Sequence, residues 1–304
     1  MSERDAILVV GAASQVGYHL LPLLVEAGHY VAAVSRAPAP ADSRGAVWHQ
    51  FDLSDPATLS RCSLRLATVI SLAPIRILPR LLEPLADLGA SRLIAFSSTS
   101  RFTKAESADP NERDLAAAFV RSEDALARGC QLRGIDWTIL RPTLVYSPGL
   151  DRNVTEIARF ILRFGFFPIV GAAIGKRQPV HAADLAAACV TVLAESKACN
   201  RAYNLSGGET LTYREMVERI FHALSRAPRI VSVPPGLLKA AVNIARVVPR
   251  FRKLSPELVT RMNTDMCFDH AEASRDLGFN PRRFEFRIDG ELASGVMPHS
   301  GFAR

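Results

Sequence analysis

One stretch near the N-terminus constrains the fold of this chain more than any other. Residues 7–10 are four consecutive apolar residues, a pattern typical of a parallel strand that is buried on both faces. Gly11 ends this run, Gly17 falls where a helix with an apolar face begins, and Gly28 ends that helix before a second apolar run at 30–34. A strand, a glycine turn, a helix and a second strand form the mononucleotide-binding half of a Rossmann fold. In that unit, the free N–H groups at the helix N-terminus face a pyrophosphate.

The glycine turn departs from the common three-glycine fingerprint at its middle position. Where the second glycine is usual, this chain has Ser14, followed by Gln15 and Val16. Serine can still turn the chain, and its hydroxyl can donate a hydrogen bond to a phosphate, so the strand–turn–helix context favours a cofactor site. The alternative is a turn that starts a helix and binds nothing. The residues predicted to bind the cofactor here are Gly11, Ser14, Gln15, Val16 and Gly17.

The end of the second strand indicates which cofactor is preferred. An acidic residue at this position would bind the hydroxyls of the adenosine ribose and repel a 2′-phosphate. This chain has Ser35 there, followed by Arg36. A small hydroxyl next to a guanidinium suits a 2′-phosphate, so the pair favours NADP(H) over NAD(H). The alternative is an exposed arginine in the turn before a proline-rich loop.

Apolar runs and helical patterns continue to alternate after this point. Further strands are predicted at 46–51, 68–73 and 92–100. This alternation predicts an α/β fold with a doubly wound parallel sheet, in which ligands bind at the carboxyl ends of the strands. Asp52, at one of these ends, can accept a hydrogen bond from the adenine amino group. The residues at these ends that are predicted to contact the cofactor are Asp52, Leu53, Leu72 and Ala73.

Composition narrows the classes of function. The net charge of +7 is carried mostly by arginines that are scattered along the chain, with no aromatic residues interleaved. Nucleic-acid binding is therefore not expected, whereas a basic cleft for a phosphorylated small molecule is. The five cysteines lie far apart and lack zinc spacing, which predicts no metal site and a reducing, cytoplasmic location. No signal peptide is expected, and no apolar run approaches the roughly 20 residues of a membrane span.

Seven short motifs follow one another in an order that resembles the extended and atypical short-chain dehydrogenases/reductases, the superfamily of nucleotide-sugar epimerases and dehydratases. They are the glycine turn, Asp52-Leu53 and the segments 96–102, 140–149, 177–186, 203–212 and 273–281. The resemblance covers nearly the whole chain and implies a Rossmann-type sheet with a smaller, interleaved C-terminal α/β substrate lobe. It predicts a cofactor domain at 1–150 plus 178–206 and a substrate lobe at 151–177 plus 207–304. It also allows a homodimer.

The catalytic centre that this resemblance implies is incomplete. In the family, a Ser or Thr holds the substrate oxygen, a Tyr on the next helix exchanges the proton, and a Lys one helical turn later supports the Tyr. Ser98 matches the Ser/Thr position, but Phe119 stands at the Tyr position and Glu123 at the Lys position. None of the five tyrosines has a lysine four residues on. A phenyl ring cannot transfer a proton, so the usual proton relay is missing.

Glu123 leaves two hypotheses open. Buried beside a nicotinamide ribose, its carboxyl could stay protonated and act as an unconventional acid. Alternatively, Phe119 is a core residue, and Glu123 is a solvated or ribose-binding residue of an inactive site. The resemblance further implies that Pro142 passes the nicotinamide amide, that Tyr146 binds the substrate and that Arg177 contacts a substrate diphosphate.

Two classes of function follow from these observations. The first is an NADP(H)-dependent epimerase, dehydratase or reductase that acts on a nucleotide-linked or otherwise polar carbonyl or alcohol. The second is a catalytically inactive NADPH-binding scaffold or redox sensor. The missing Tyr and Lys favour the second class, and the otherwise complete substrate lobe favours the first, which we expect. The apolar, basic segment 237–253 is expected to roof the substrate cleft; a membrane contact is its alternative.

Overall fold

The computed structural model describes residues 6–53, 55–61, 64–237 and 261–287. Apart from its first residue, the segment 237–253, for which a roof over the cleft is predicted, lies outside these residues. Within the part of the chain that the structure describes, no helix has both the length and the hydropathy that crossing a bilayer requires.

A seven-stranded parallel sheet forms the centre of the molecule. From one edge to the other, its strands are β11 (Arg201–Leu205), β6 (Asp136–Pro142), β5 (Arg92–Phe96), β4 (Leu66–Ser71), β1 (Ala6–Val10), β2 (Val31–Ser35) and β3 (Val47–Gln50). Every residue of β1 and β2 is buried, as expected for strands that are covered on both faces. The predicted α/β fold with a Rossmann-type parallel sheet is therefore confirmed.

Helices cover both faces of this sheet. Among the described residues, the α-helices are α1 (Gln15–Glu26), α2 (Leu82–Asp87), α3 (Ser100–Thr103), α4 (Pro110–Gln131), α5 (Val154–Phe164), α6 (Ala182–Ala194), α7 (Tyr213–Ala223) and α8 (Ala271–Leu277). Ile7 and Val9 of β1 pack with α1 and α6 on one face. Leu8 and Val10 pack with α2 and α4 on the other. Because successive side chains of a strand point to opposite faces, a single buried strand contributes to both halves of the core.

A third apolar cluster lies outside the central sheet. It joins α5 and α7 to the parallel strand pair of β8 (Phe167–Val170) and β13 (Ile230–Val233). The strand β8 lies within the apolar segment 164–173, and its partner β13 lies far along the chain. Two further strand pairs in the part of the chain that the structure describes are β7 (Val145–Tyr146) with β10 (Val180–His181) and β9 (Lys176–Arg177) with β12 (Leu211–Thr212).

Candidate functional site

The turn between β1 and α1 packs too closely for side chains at two positions. Gly11 has a φ of +73°, and a Cβ there would lie 3.0 Å from the backbone nitrogen of Ala73. A Cβ at Gly17 would overlap the Ala12 carbonyl oxygen and lie 2.7 Å from its carbonyl carbon. Ser14 caps α1, since its Oγ accepts a hydrogen bond of 3.2 Å from the Gly17 N–H. The turn thus brings bare backbone and the first N–H groups of a helix to the carboxyl edge of the sheet.

A cleft of about 400 Å³, here named the α1 cleft, opens beside this turn. It lies between the first turn of α1, the ends of β4, β5 and β6, and one side of α4. Its lining includes seven of the residues predicted from the sequence, namely Ser14, Gln15, Val16, Leu72, Ala73, Phe119 and Pro142. The Oε1 of Gln15 is buried and receives no hydrogen bond in the described structure, which leaves one acceptor at the cleft wall for a ligand.

The residues predicted to hold the adenosine end lie farther along the same edge and do not line the α1 cleft. Ser35 is buried at the end of β2, where its Oγ accepts a hydrogen bond of 3.0 Å from the Ala37 N–H. The Arg36 side chain is exposed, and its carbonyl accepts a hydrogen bond from Gln50 of β3 at 3.0 Å. After β3, Asp52 is exposed and Leu53 is buried.

Two serine hydroxyls, of Ser97 and Ser98, follow β5, and only one of the two residues lines the α1 cleft. Ser98, which matches the family's Ser/Thr position, accepts a hydrogen bond of 3.1 Å from the Ser100 N–H and does not line the α1 cleft. Ser97 does line it, beside Phe119. Sequence reasoning missed Ser97, although its place directly after a buried strand is the signal by which it could have been found.

Glu123 lies at the centre of a buried network behind Ser97. Only 3% of its side chain is exposed. Its Oε1 accepts a hydrogen bond of 2.5 Å from the Ser97 hydroxyl, and its Oε2 accepts bonds of 3.0 and 2.6 Å from Nε and Nη2 of Arg141. Arg101, on α3, donates to the same Oε2. Both guanidinium groups also lie near the Phe102 ring, with centroid distances of 5.1 and 5.7 Å.

This network gives Glu123 the role of an acceptor. All of its contacts come from donors, two of them cationic, so the carboxylate is paired with positive charge and does not face the α1 cleft. Among the described residues, Glu123 is connected to the cleft only through the Ser97 hydroxyl, so its carboxyl has no direct contact with a substrate there. The geometry therefore does not favour Glu123 as an unconventional acid.

The two residues predicted to bind the substrate are buried, and both hydrogen-bond to the backbone. Tyr146 is fully buried, and its Oη accepts a hydrogen bond of 3.3 Å from the Glu285 N–H; burial raises the pKa of this phenol to about 12. Arg177 donates from Nη1 to the carbonyls of Lys176 and Thr264, at 2.7 Å each, and from Nη2 to that of Arg261. Burial lowers the pKa of Arg177. Its guanidinium thus joins two chain segments through backbone carbonyls.

A second cleft of about 760 Å³, here named the histidine cleft, lies over the N-terminal parts of α1 and α6. His19 and His181 meet in it with ring centroids 5.4 Å apart. His181 caps α6 by accepting the Ala183 N–H at Nδ1, and Asp184, in the first turn of α6, pairs with Arg282 at 2.8 Å. Burial lowers the pKa of both histidines, to about 4 for His181, and the charge of Arg282 adds to the effect.

Comparisons with known proteins extend these findings. A family model described as NAD(P)H-binding matches residues 11–196, more than half of the chain. Protein y4nG of Sinorhizobium fredii is 29% identical over 178 residues. This match covers 58% of this chain but only 44% of y4nG. A 2-alkyl-3-oxoalkanoate reductase of Stenotrophomonas maltophilia is 27% identical over 323 residues, which cover 91% of this chain and 94% of the reductase.

A solved structure supports the same fold. The UDP-glucose 4-epimerase of Thermotoga maritima, solved with UDP-glucose, superposes with a TM-score of 0.70 at 20% identity. The match covers 96% of this chain and 97% of the epimerase. At this identity the likeness shows the fold alone, which is that of the NAD-dependent epimerases and dehydratases of the extended short-chain dehydrogenase/reductase type.

Proposed function

We propose that this chain, which belongs to the NAD(P)H-binding family, binds NADP(H) in preference to NAD(H) at the carboxyl edge of its central sheet. The turn between β1 and α1 is the observation that carries the cofactor site, and the preference for NADP(H) rests on Ser35 and Arg36. A side chain at Gly17 would overlap backbone atoms, one at Gly11 would be strained by its positive φ, and the N–H groups of the first turn of α1 have no carbonyl partner within the helix. A diphosphate is the ligand that such a turn suits best.

Each part of the cofactor has a matching group in the chain. The Ser14–Gly17 turn would hold the diphosphate, and Ser35 with Arg36 would hold the 2′-phosphate. Because the Ser35 Oγ only accepts from the backbone, its hydrogen remains available to a phosphate oxygen. Asp52 and Leu53 would contact the adenine, while Leu72, Ala73 and Pro142 would contact the nicotinamide. When bound, the cofactor would supply the hydride, and the residues of the chain would hold the nicotinamide in place.

The proposal extends to catalysis on a small molecule. We assign the substrate lobe to 151–177 plus 207–304, because the third apolar cluster draws mainly on these segments. A relative named as a reductase aligns over nearly its whole length, and a neighbour of the same fold was solved with a nucleotide sugar. The substrate is thus proposed to be a nucleotide-linked or other polar carbonyl or alcohol. A homodimer in a reducing, cytoplasmic setting is part of this proposal, in keeping with four unpaired cysteines among the described residues.

A second candidate function is an NADPH-binding scaffold without turnover. Two observations favour it: Phe119 lines the α1 cleft where a proton donor is usual, and Glu123 is held by two arginines. The two candidates share the cofactor and differ in what happens to it. In the enzyme, a suitable substrate consumes NADPH; in the scaffold, NADPH binds and persists.

Calorimetric titration of the purified chain with NADPH and with NADH tests the proposal. We expect NADPH to bind at least tenfold more tightly, and Arg36→Ala to remove most of that difference, because one guanidinium–phosphate contact is lost. The matched control is Arg80→Ala, which removes an exposed arginine that does not line the α1 cleft. Equal affinities, or no binding, would overturn it. Stable NADPH absorbance in the presence of UDP-glucose and of 3-oxo acids would favour the scaffold.

A further inference from the structure

The buried network around Glu123 carries a net charge. Two guanidinium groups surround one carboxylate, so the cluster of Arg101, Glu123 and Arg141 has a net charge of +1. The exposed fraction of the two arginine side chains is 17% each, which places the charge where solvent screens it weakly. Ser97 joins the cluster to the wall of the α1 cleft, since its hydroxyl lines the cleft and lies 2.5 Å from Glu123 Oε1.

One other charge at this wall has the same sign as the cluster. Arg76 is the one charged side chain among the described residues that line the α1 cleft, and it is exposed. On the same helix as Glu123, Glu112 is paired with both Lys104 and Arg261, and Asp109 acts on both of these cations, so this second group adds no net charge. No described acidic side chain lines the cleft. The nicotinamide end of the site is therefore electropositive.

The two redox states of the cofactor differ in charge at that end only. The nicotinamide ring is cationic in NADP⁺ and neutral in NADPH, whereas the phosphates are the same in both. A fixed positive charge behind the cleft wall repels the oxidised ring and leaves the reduced ring unaffected. One unit of charge about 10 Å away, at an effective dielectric of about 20, changes a dissociation constant by roughly tenfold.

We propose that the cluster of Arg101, Glu123 and Arg141 makes this site selective for the reduced cofactor, NADPH, over NADP⁺. The proposal rests on the proposed binding of NADP(H) and adds the redox state that the site prefers. Glu123 acts as a positioning residue, because its carboxylate holds both guanidinium groups and Ser97 in place. The fraction of the protein that carries NADPH would then follow the ratio of NADPH to NADP⁺.

A charge series tests this proposal without requiring a substrate. The dissociation constants of NADP⁺, NADPH and adenosine 2′,5′-bisphosphate, which lacks the nicotinamide, are measured by calorimetry on the full chain. For the unmodified chain we expect NADPH to bind about tenfold more tightly than NADP⁺. Arg101→Gln lowers the cluster charge to zero and keeps the Glu123–Arg141 pair, so the ratio of the two constants should fall roughly tenfold. Glu123→Gln raises the charge to +2, so the ratio should rise.

Controls separate charge from structural damage. Arg121→Gln removes an exposed arginine of α4, two residues from Glu123, and should leave the ratio unchanged. Adenosine 2′,5′-bisphosphate should bind all variants equally. If Glu123→Gln does not fold, Arg141→Gln gives a second variant of zero cluster charge. Ratios that do not move, or that move in the same direction in Arg101→Gln and Glu123→Gln, would overturn the proposal. Failure of all three ligands to bind the unmodified chain would instead refute the cofactor site itself.

Discussion

Gly17→Ala is the substitution for which the structure predicts the clearest outcome. The added Cβ would overlap the Ala12 carbonyl oxygen, a backbone atom that cannot rotate away. Forcing one methyl group into such a contact costs about 1 to 3 kcal/mol, while alanine in a helix regains up to about 1 kcal/mol over glycine. We expect the free energy of unfolding to fall by about 1 to 2 kcal/mol. Because the turn must shift, NADPH affinity should fall at least tenfold.

Gly129→Ala is the matched control for this prediction. Gly129 also lies inside a helix, but its Cβ would meet Leu82 Cδ1, the end of a flexible side chain. Because the Leu82 side chain can shift and alanine favours a helix, this variant should lose less stability than Gly17→Ala and bind NADPH normally. Urea unfolding and calorimetry on both variants provide the measurement. If Gly17→Ala matches Gly129→Ala in stability and in affinity, the close-packed turn is not the cofactor site.

Three further predictions concern groups outside the α1 cleft. Arg177→Met leaves three carbonyls without their donor and should lower the free energy of unfolding by about 2 to 4 kcal/mol in urea, whereas a surface role would leave it unchanged. Asp151→Ala removes a buried carboxylate that accepts from the Ser147, Asn153 and Thr155 N–H groups, and a loss of about 2 to 4 kcal/mol is expected by the same assay. Burial lowers the pKa of His181 from 6.5 to about 4, so the imidazole takes up a proton at a lower pH in the folded protein than in the unfolded chain. Neutral His181 therefore adds stability above pH 6.5, and this contribution is lost as the pH falls from 6.5 to about 4. His181→Asn, which can keep the helix cap, should therefore lose less thermal stability than the unmodified protein between pH 7 and pH 5; equal losses would contradict this assignment.

The elements with local signals were predictable from the sequence. Residues 7–10 form a continuous apolar run because both faces of β1 are covered, so the pattern alone indicates a central strand. The capping box at Thr212 and Glu215 likewise marks the start of α7, and the structure contains both of its hydrogen bonds. The pairing of β8 has no such local signal, because its partner β13 lies far along the chain.

Charge pairing in the site was not predictable. The sequence places Glu123 at the position of the family's lysine, but it cannot show that Arg101 and Arg141, from two other elements, converge on the carboxylate. Arg177 similarly has the residue type that suits a diphosphate, and only the fold shows that its guanidinium is held by carbonyls. The assignments of Ser98, Tyr146 and Arg177 to substrate stay predictions.

A crystal structure of the chain grown with NADPH would test the central claim most directly. We predict the diphosphate at the N-terminus of α1, within hydrogen-bond distance of the Gln15 and Val16 N–H groups, and the 2′-phosphate at Arg36. The nicotinamide should lie in the α1 cleft beside Ser97. Cofactor bound in the histidine cleft, or crystals that hold none at saturating NADPH, would contradict the account.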